Sequence, residues 1–145
     1  MVSRDSVAVV VVVRRHPERL TKTLSSLAGQ VADSSISIAN LSGSAISAPG
    51  DLTVVELAPS STLSEAVSRA LVGRTNDFVW ILRDDTVVRP GALGALSAVF
   101  DTSPSVGVVG PKQLDADMTI EIREMGESIS RSGFAVQLAE REMDQ

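Results

Sequence analysis

Two adjacent carboxylates, Asp84 and Asp85, close the run Phe78-Val79-Trp80-Ile81-Leu82-Arg83, and Pro90 follows shortly after. Hard anionic oxygens side by side suit Mg²⁺ or Mn²⁺, ions that favour carboxylates together with substrate phosphates. An apolar strand ending in such a pair, ahead of a Pro-started helix, delivers them to a strand terminus, where α/β proteins bind ligands. The chemistry expected is electrostatic, a divalent cation bridging the protein to a diphosphate.

Other reaction chemistries lack their residues. The chain has 0 cysteines, so thiolate metal sites and disulfides are excluded. His16 is the only histidine and has no Ser/Asp context for a nucleophilic triad. It reads better as a residue near a helix start. Neither G-x-x-x-x-G-K-[ST] nor G-x-G-x-x-G occurs, which disfavours P-loop and dinucleotide readings. With 13 Lys plus Arg against 18 Asp plus Glu, a formal charge of −5 and a pI near 4.8, a nucleic-acid-wrapping role is excluded.

The elements that must position the carboxylates read as alternating strands and helices. Val7 to Val13 is a continuous β-branched run, the signature of a central parallel strand covered on both faces. It is too short to span a membrane, which needs about 20 residues, and Arg14-Arg15-His16 stands where a signal peptide would have a small-residue cleavage site. Pro17 suits a first helical turn, with Leu20, Leu24 and Leu27 on one stripe and Gly29 as the stop. Ser35 to Asn40 and Leu52 to Leu57 predict two further strands, separated by Ser42-Gly43-Ser44 and Pro49-Gly50. Thr62 and Glu65 have capping-box spacing ahead of Leu63, Ala66, Val67, Ala70 and Leu71, and Gly73 ends that helix.

After the acidic strand, Pro90 opens a third expected helix with Leu93, Leu96, Val99 and Phe100 inward. Val106 to Pro111 predicts a short strand, and Met118 to Arg123 another. Ile129 to Val136 predicts a hairpin around Gly133. The expected fold is a three-layer α/β sandwich with a mostly parallel central sheet over residues 1–138, and residues 139–145 form a frayed, charged tail. A hydrophobic fraction of 43% in 145 residues, with mean hydropathy +0.19, is enough for one core.

The order of a Val-rich strand, a Pro-started helix, Leu82-Arg83-Asp84-Asp85-Thr86-Val87-Val88-Arg89-Pro90-Gly91-Ala92-Leu93 and Pro104-Ser105-Val106-Gly107-Val108-Val109-Gly110-Pro111-Lys112 resembles the N-terminal, nucleotide-sugar-binding half of a family 2 glycosyltransferase of the GT-A fold. It is similar in particular to large actinobacterial members, which carry a stretch like Glu124 to Gly133. The likeness runs from about Val7 to Asp117.

The resemblance implies a metal-assisted transfer of sugar from a nucleotide-diphospho-sugar, UDP-sugar favoured, to a hydroxyl of a sugar or glycan acceptor. It implies Asp85 on a Mg²⁺ or Mn²⁺ ion and Asp84 near the ribose or the metal. Val13, Arg14 and Arg15 would line the nucleotide pocket, Asn40 would meet the base edge, and Arg69 would be the basic residue of the second helix. Arg83 replaces the first carboxylate of the common Asp-Asp-Asp form and would meet phosphate instead.

The family's general base lies in a later, acceptor-binding half, so the resemblance implies a fragment that does not turn over alone. It also implies a cytoplasmic protein, at the inner membrane face if the parent carries the anchor, and exposed apolar surface that leaves room for a homo-oligomer. Two other readings stand beside it: a catalytically silent nucleotide-binding or interaction module, which Arg83 permits, and a sugar nucleotidyltransferase, which would want glycines after the first strand. Read from the residues alone, Asp84-Asp85 is better explained as a solvated loop at a helix start, a preference that the surrounding pattern reverses, and Asn40, Ser42 and Ser44 are ordinary turn formers.

Overall fold

The computed structural model describes residues 6–50, 52–115, 121–138 and 142–143. The chain divides into two compact units, Met1–Gly91 and Ala92–Gln145.

In the first unit Val7–Val13 forms β1, and all of its residues are buried. A strand with no polar face needs cover on both sides and pairing on both edges. It has the pairing: β2 (Ile36–Asn40) lies parallel on one side and β4 (Phe78–Arg83) parallel on the other. With β3 (Thr53–Glu56) beyond β2, the sheet is four-stranded, wholly parallel and ordered β3-β2-β1-β4. It is flanked by helices, a Rossmann-like α/β arrangement.

Pro17 starts a 3₁₀ turn, Pro17–Arg19, that leads into α1 (Leu20–Leu27). The expected stripe of Leu20, Leu24 and Leu27 is buried, and Thr23 is buried with it. Helix α2 (Leu63–Ala70) packs Ala66 and Ala70 against Val10, Val12, Ala39 and Leu41. Strand alternation turns Val9, Val11, Val13, Ile38 and Asn40 to the opposite face, and Leu24 and Ser25 of α1 line one hollow together with Ile36. Leu63, expected inward, is exposed. Since α2 follows the end of β3, its first turn sits at the rim of the sheet. Gly29 and Gly73 have φ of 76° and 79°, the left-handed geometry that ends a helix.

In the second unit α3 spans Ala92–Thr102, beginning two residues after Pro90; none of its residues is fully buried, and of the expected inward stripe Leu93, Leu96 and Phe100 are half-buried while Val99 is exposed. Strands β5 (Gln113–Leu114), β6 (Glu121–Glu124), β7 (Glu127–Ile129), β8 (Ala135–Gln137) and β9 (Glu142–Met143) are short. Of these, β5, β6 and β9 form one antiparallel sheet, while β7 and β8 form the hairpin expected around Gly133.

Three expectations change here. Residues 106–111 are irregular rather than a strand, with Val108 exposed. Gly107 and Gly110 weaken strand propensity, and no ladder partner exists for the segment among the described residues. The strand expected at Met118 to Arg123 is observed at Glu121–Glu124, and residues 118–120 lie outside the described residues. Within the tail expected to fray, Glu142–Met143 pairs with β6; residues 139–141 and 144–145 are outside the described set. No helix among the described residues is long and apolar enough to cross a membrane.

Candidate functional site

Because β1 to β4 are parallel, their carboxyl ends share one rim. The order β3-β2-β1-β4 reverses direction at β1, since β2 and β3 extend to one side and β4 returns to the other. A crevice at such a switch point, outside the carboxyl ends of β1 and β4, is the general ligand position of open α/β sheets. The loops after these two strands carry Arg14-Arg15-His16 and Asp84-Asp85.

The register aligns four residues across this rim. Val13 pairs with Asn40, Asn40 with Glu56, and Val12 with Arg83, so Asp84 falls beside Val13. The ladder continues there through Asp84 N–H donating to the Val12 carbonyl at 3.1 Å. Two members of the row are buried polar side chains, and each is committed to its surroundings.

Asp84 is 3% exposed. Its Oδ2 accepts backbone N–H bonds from Arg14 at 2.9 Å, Arg15 at 3.0 Å and His16 at 2.7 Å. Three donors converge on one oxygen, and a buried carboxylate is tolerated because they are there. The residue's carbonyl accepts from Thr23 Oγ1 at 2.9 Å, and Ser26 Oγ accepts from Val88 N–H at 3.0 Å. Thus α1 holds the exit of β4 while the carboxylate of that exit holds the entry to α1. Only Oδ1 of Asp84 remains for a ligand.

Asn40 is 0% exposed and equally engaged. Its Nδ2 donates to the Ser44 carbonyl and to Glu56 Oε2, both at 2.8 Å, while its Oδ1 accepts from Ser42 N–H at 3.1 Å and Ser42 Oγ at 2.7 Å. An amide has two donors and two acceptor positions, so none is left for a base edge. Val13 has its side chain in the core and its carbonyl on Leu41 N–H at 2.7 Å.

The accessible groups at the rim are others. Asp85 is partly exposed and pairs with the exposed Arg83 guanidinium at 3.0 Å. Arg14 reaches from the β1 exit to the Ser61 carbonyl, just ahead of α2. Arg15 is exposed, and His16 Nδ1 lies 3.2 Å from Glu18 Oε1. The Glu18 carboxyl is held below its usual value, chiefly by a backbone hydrogen bond, with desolvation opposing and with His16 and Arg19 adding to the lowering. Arg69 is exposed and stands in the last turn of α2, about 9 Å of helix rise from Leu63.

Among the described residues no three His, Cys, Asp or Glu side chains gather as a metal centre. A Mg²⁺-type ion arriving with phosphates needs only one or two protein carboxylates. Asp85 and the Oδ1 of Asp84 are what the end of β4 offers, with Arg83 competing for Asp85, and the exposed Glu56 carboxylate stands at the end of β3.

Four residues with clear roles escaped the sequence reading: Thr23, Ser26, Glu56 and Arg74. Arg74 donates to the Ser34 and Ile36 carbonyls and to Ser37 Oγ at 2.8 Å, tying the end of α2 to the start of β2. Thr23 alone left a signal, a polar residue within the Leu20, Leu24, Leu27 stripe. A shallow hollow of about 180 Å³ lies at the opposite edge, near Ile36 and Leu52 at the strand starts. Comparison with protein-family models, with characterised proteins and with solved structures finds no match to this chain.

Proposed function

We propose that this chain is the donor-binding part of a glycosyltransferase of the GT-A type, receiving a nucleotide-diphospho-sugar, UDP-sugar favoured, at the carboxyl ends of β1 and β4. The observation that supports it most is the accessible carboxylate of Asp85 beside the switch point of a parallel β3-β2-β1-β4 sheet. Arg83 pairs with Asp85, and the loop after the neighbouring β1 carries Arg14 and Arg15, a local run of positive charge in an otherwise acidic chain. Guanidinium groups suit phosphate oxygens, which they engage through paired N–H bonds.

In this reading Asp85 is the residue that holds a divalent ion, whose charge offsets that building on the departing nucleoside diphosphate. Arg14 and Arg15 orient the phosphates, and Asp84 and Asn40 keep the loops that carry them rigid. The acceptor hydroxyl requires a general base. This reading assigns that step to none of the described carboxylates.

Calorimetric titration of UDP, GDP and TDP with and without Mn²⁺ tests the reading on wild type and Asp85→Ala. Mn²⁺-dependent binding of one diphosphate is expected, weakened about tenfold or more by the substitution, which is about 1.4 kcal/mol. Equal binding with and without the ion, unchanged by Asp85→Ala, would reject it. A second reading, a catalytically silent nucleotide-binding module, is favoured by the Arg83 to Asp85 ion pair at 3.0 Å, which neutralises the carboxylate. Binding of UDP by the intact parent without transfer or hydrolysis selects that reading.

A further inference from the structure

Successive backbone N–H groups that converge at a strand-to-helix turn make a concave receptor for an anion. In dinucleotide-binding α/β proteins the first such turn receives the pyrophosphate. Here the same turn, Arg14 to His16, already surrounds an anion, the side chain of Asp84 from 68 to 70 residues further along the chain.

We infer that Asp84 is a positioning residue that permanently fills the phosphate receptor of the first strand-to-helix turn, so that a phosphate ligand must be met by side chains and not by this backbone. Geometry supports the assignment. All three donors lie 2.7 to 3.0 Å from the same oxygen, the side chain is almost fully buried, and its own carbonyl is fastened to Thr23. No ligand phosphate can reach those N–H groups while the carboxylate is in place. Resting on the donor-site reading proposed above, one consequence is a division of labour between neighbours: Asp84 shapes the turn, and Asp85 with Arg14, Arg15 and Arg83 faces the diphosphate.

The experiment does not depend on catalysis or nucleotide. Asp84→Ala removes the carboxylate and leaves the three donors converging on a void the size of formate. The variant is expected to lose thermal stability on the order of 10 °C. Added sodium formate is expected to restore part of the loss saturably, while wild type responds no more than it does to sodium chloride of equal ionic strength. Amide resonances of Arg14, Arg15 and His16 should move with the same formate dependence.

Formate acting equally on both proteins, or on neither, overturns the inference. Should Asp84→Ala fail to fold, Asp84→Asn decides: its Oδ1 still accepts but carries no charge, so the amide proton resonances of Arg14, Arg15 and His16 should move upfield together and more than those of β1, and resonances that stay in place would overturn it. Failure of UDP to bind in the calorimetric test would remove the donor-site reading and leave this result standing.

Discussion

At the scale of single residues, two of the side chains expected to contact the ligand, Asp84 and Asn40, are taken up by hydrogen bonds within the protein itself. Sequence displays a carboxylate at a strand end but not the N–H groups that meet it, because those lie 68 to 70 positions upstream. Asn40 is hidden by the same cause, since its partner Glu56 arrives only when β2 and β3 pair. Local interactions were more legible. The neighbourhood of His16, Glu18 and Arg19 is contained in one turn and gives a pH prediction. The Glu18 pKa is lowered from 4.5 in the folded chain, so its contribution to stability is present above that value and is lost as pH falls through the folded pKa. A carboxyl-carbon NMR titration should show a Glu18 midpoint below 4.5. In His16→Ala the midpoint should rise only part of the way, because the backbone hydrogen bond, the largest cause, survives.

Elements were legible where their signal is periodic and their cover is nearby. The valine run announced β1, and Pro17, the leucine spacing and Gly29 bracketed α1. Thr62 acts as the expected cap, its hydroxyl accepting Glu65 N–H at 3.1 Å. Replacing it with Ala should cost about 1 kcal/mol by denaturant unfolding, with an unchanged slope against denaturant, since an N-cap satisfies one orphan donor without burying surface. Thr62→Ser should recover most of that loss. Elements that depend on a distant partner were read less well. Residues 106–111 have strand-like valines but two glycines and no ladder partner among the described residues, and the apolar pattern of α3 is only half-buried. Composition sets what an element can become, and pairing decides whether it does.

For the molecule as a whole, the class of fold followed from alternation alone, whereas the site followed from strand order, which no local pattern encodes. Only the arrangement β3-β2-β1-β4 puts the end of β4 beside the end of β1. That adjacency makes the Asp84 carboxylate a clasp between the first and the last strand of the parallel sheet, with Thr23 closing it from the helix side. Exposed turns ordinarily trade their amide protons for deuterium within seconds to minutes through small local openings. The Arg14 and Arg15 side chains are exposed, yet their N–H groups are held by a buried carboxylate at the end of β4. Deuterium uptake at Arg14, Arg15 and His16 is therefore expected to be as slow as at Val11, governed by global unfolding. Fast uptake at the turn beside a slow strand would show that the clasp opens by itself. With slow uptake, a surface loop reports the cooperativity of the entire sheet.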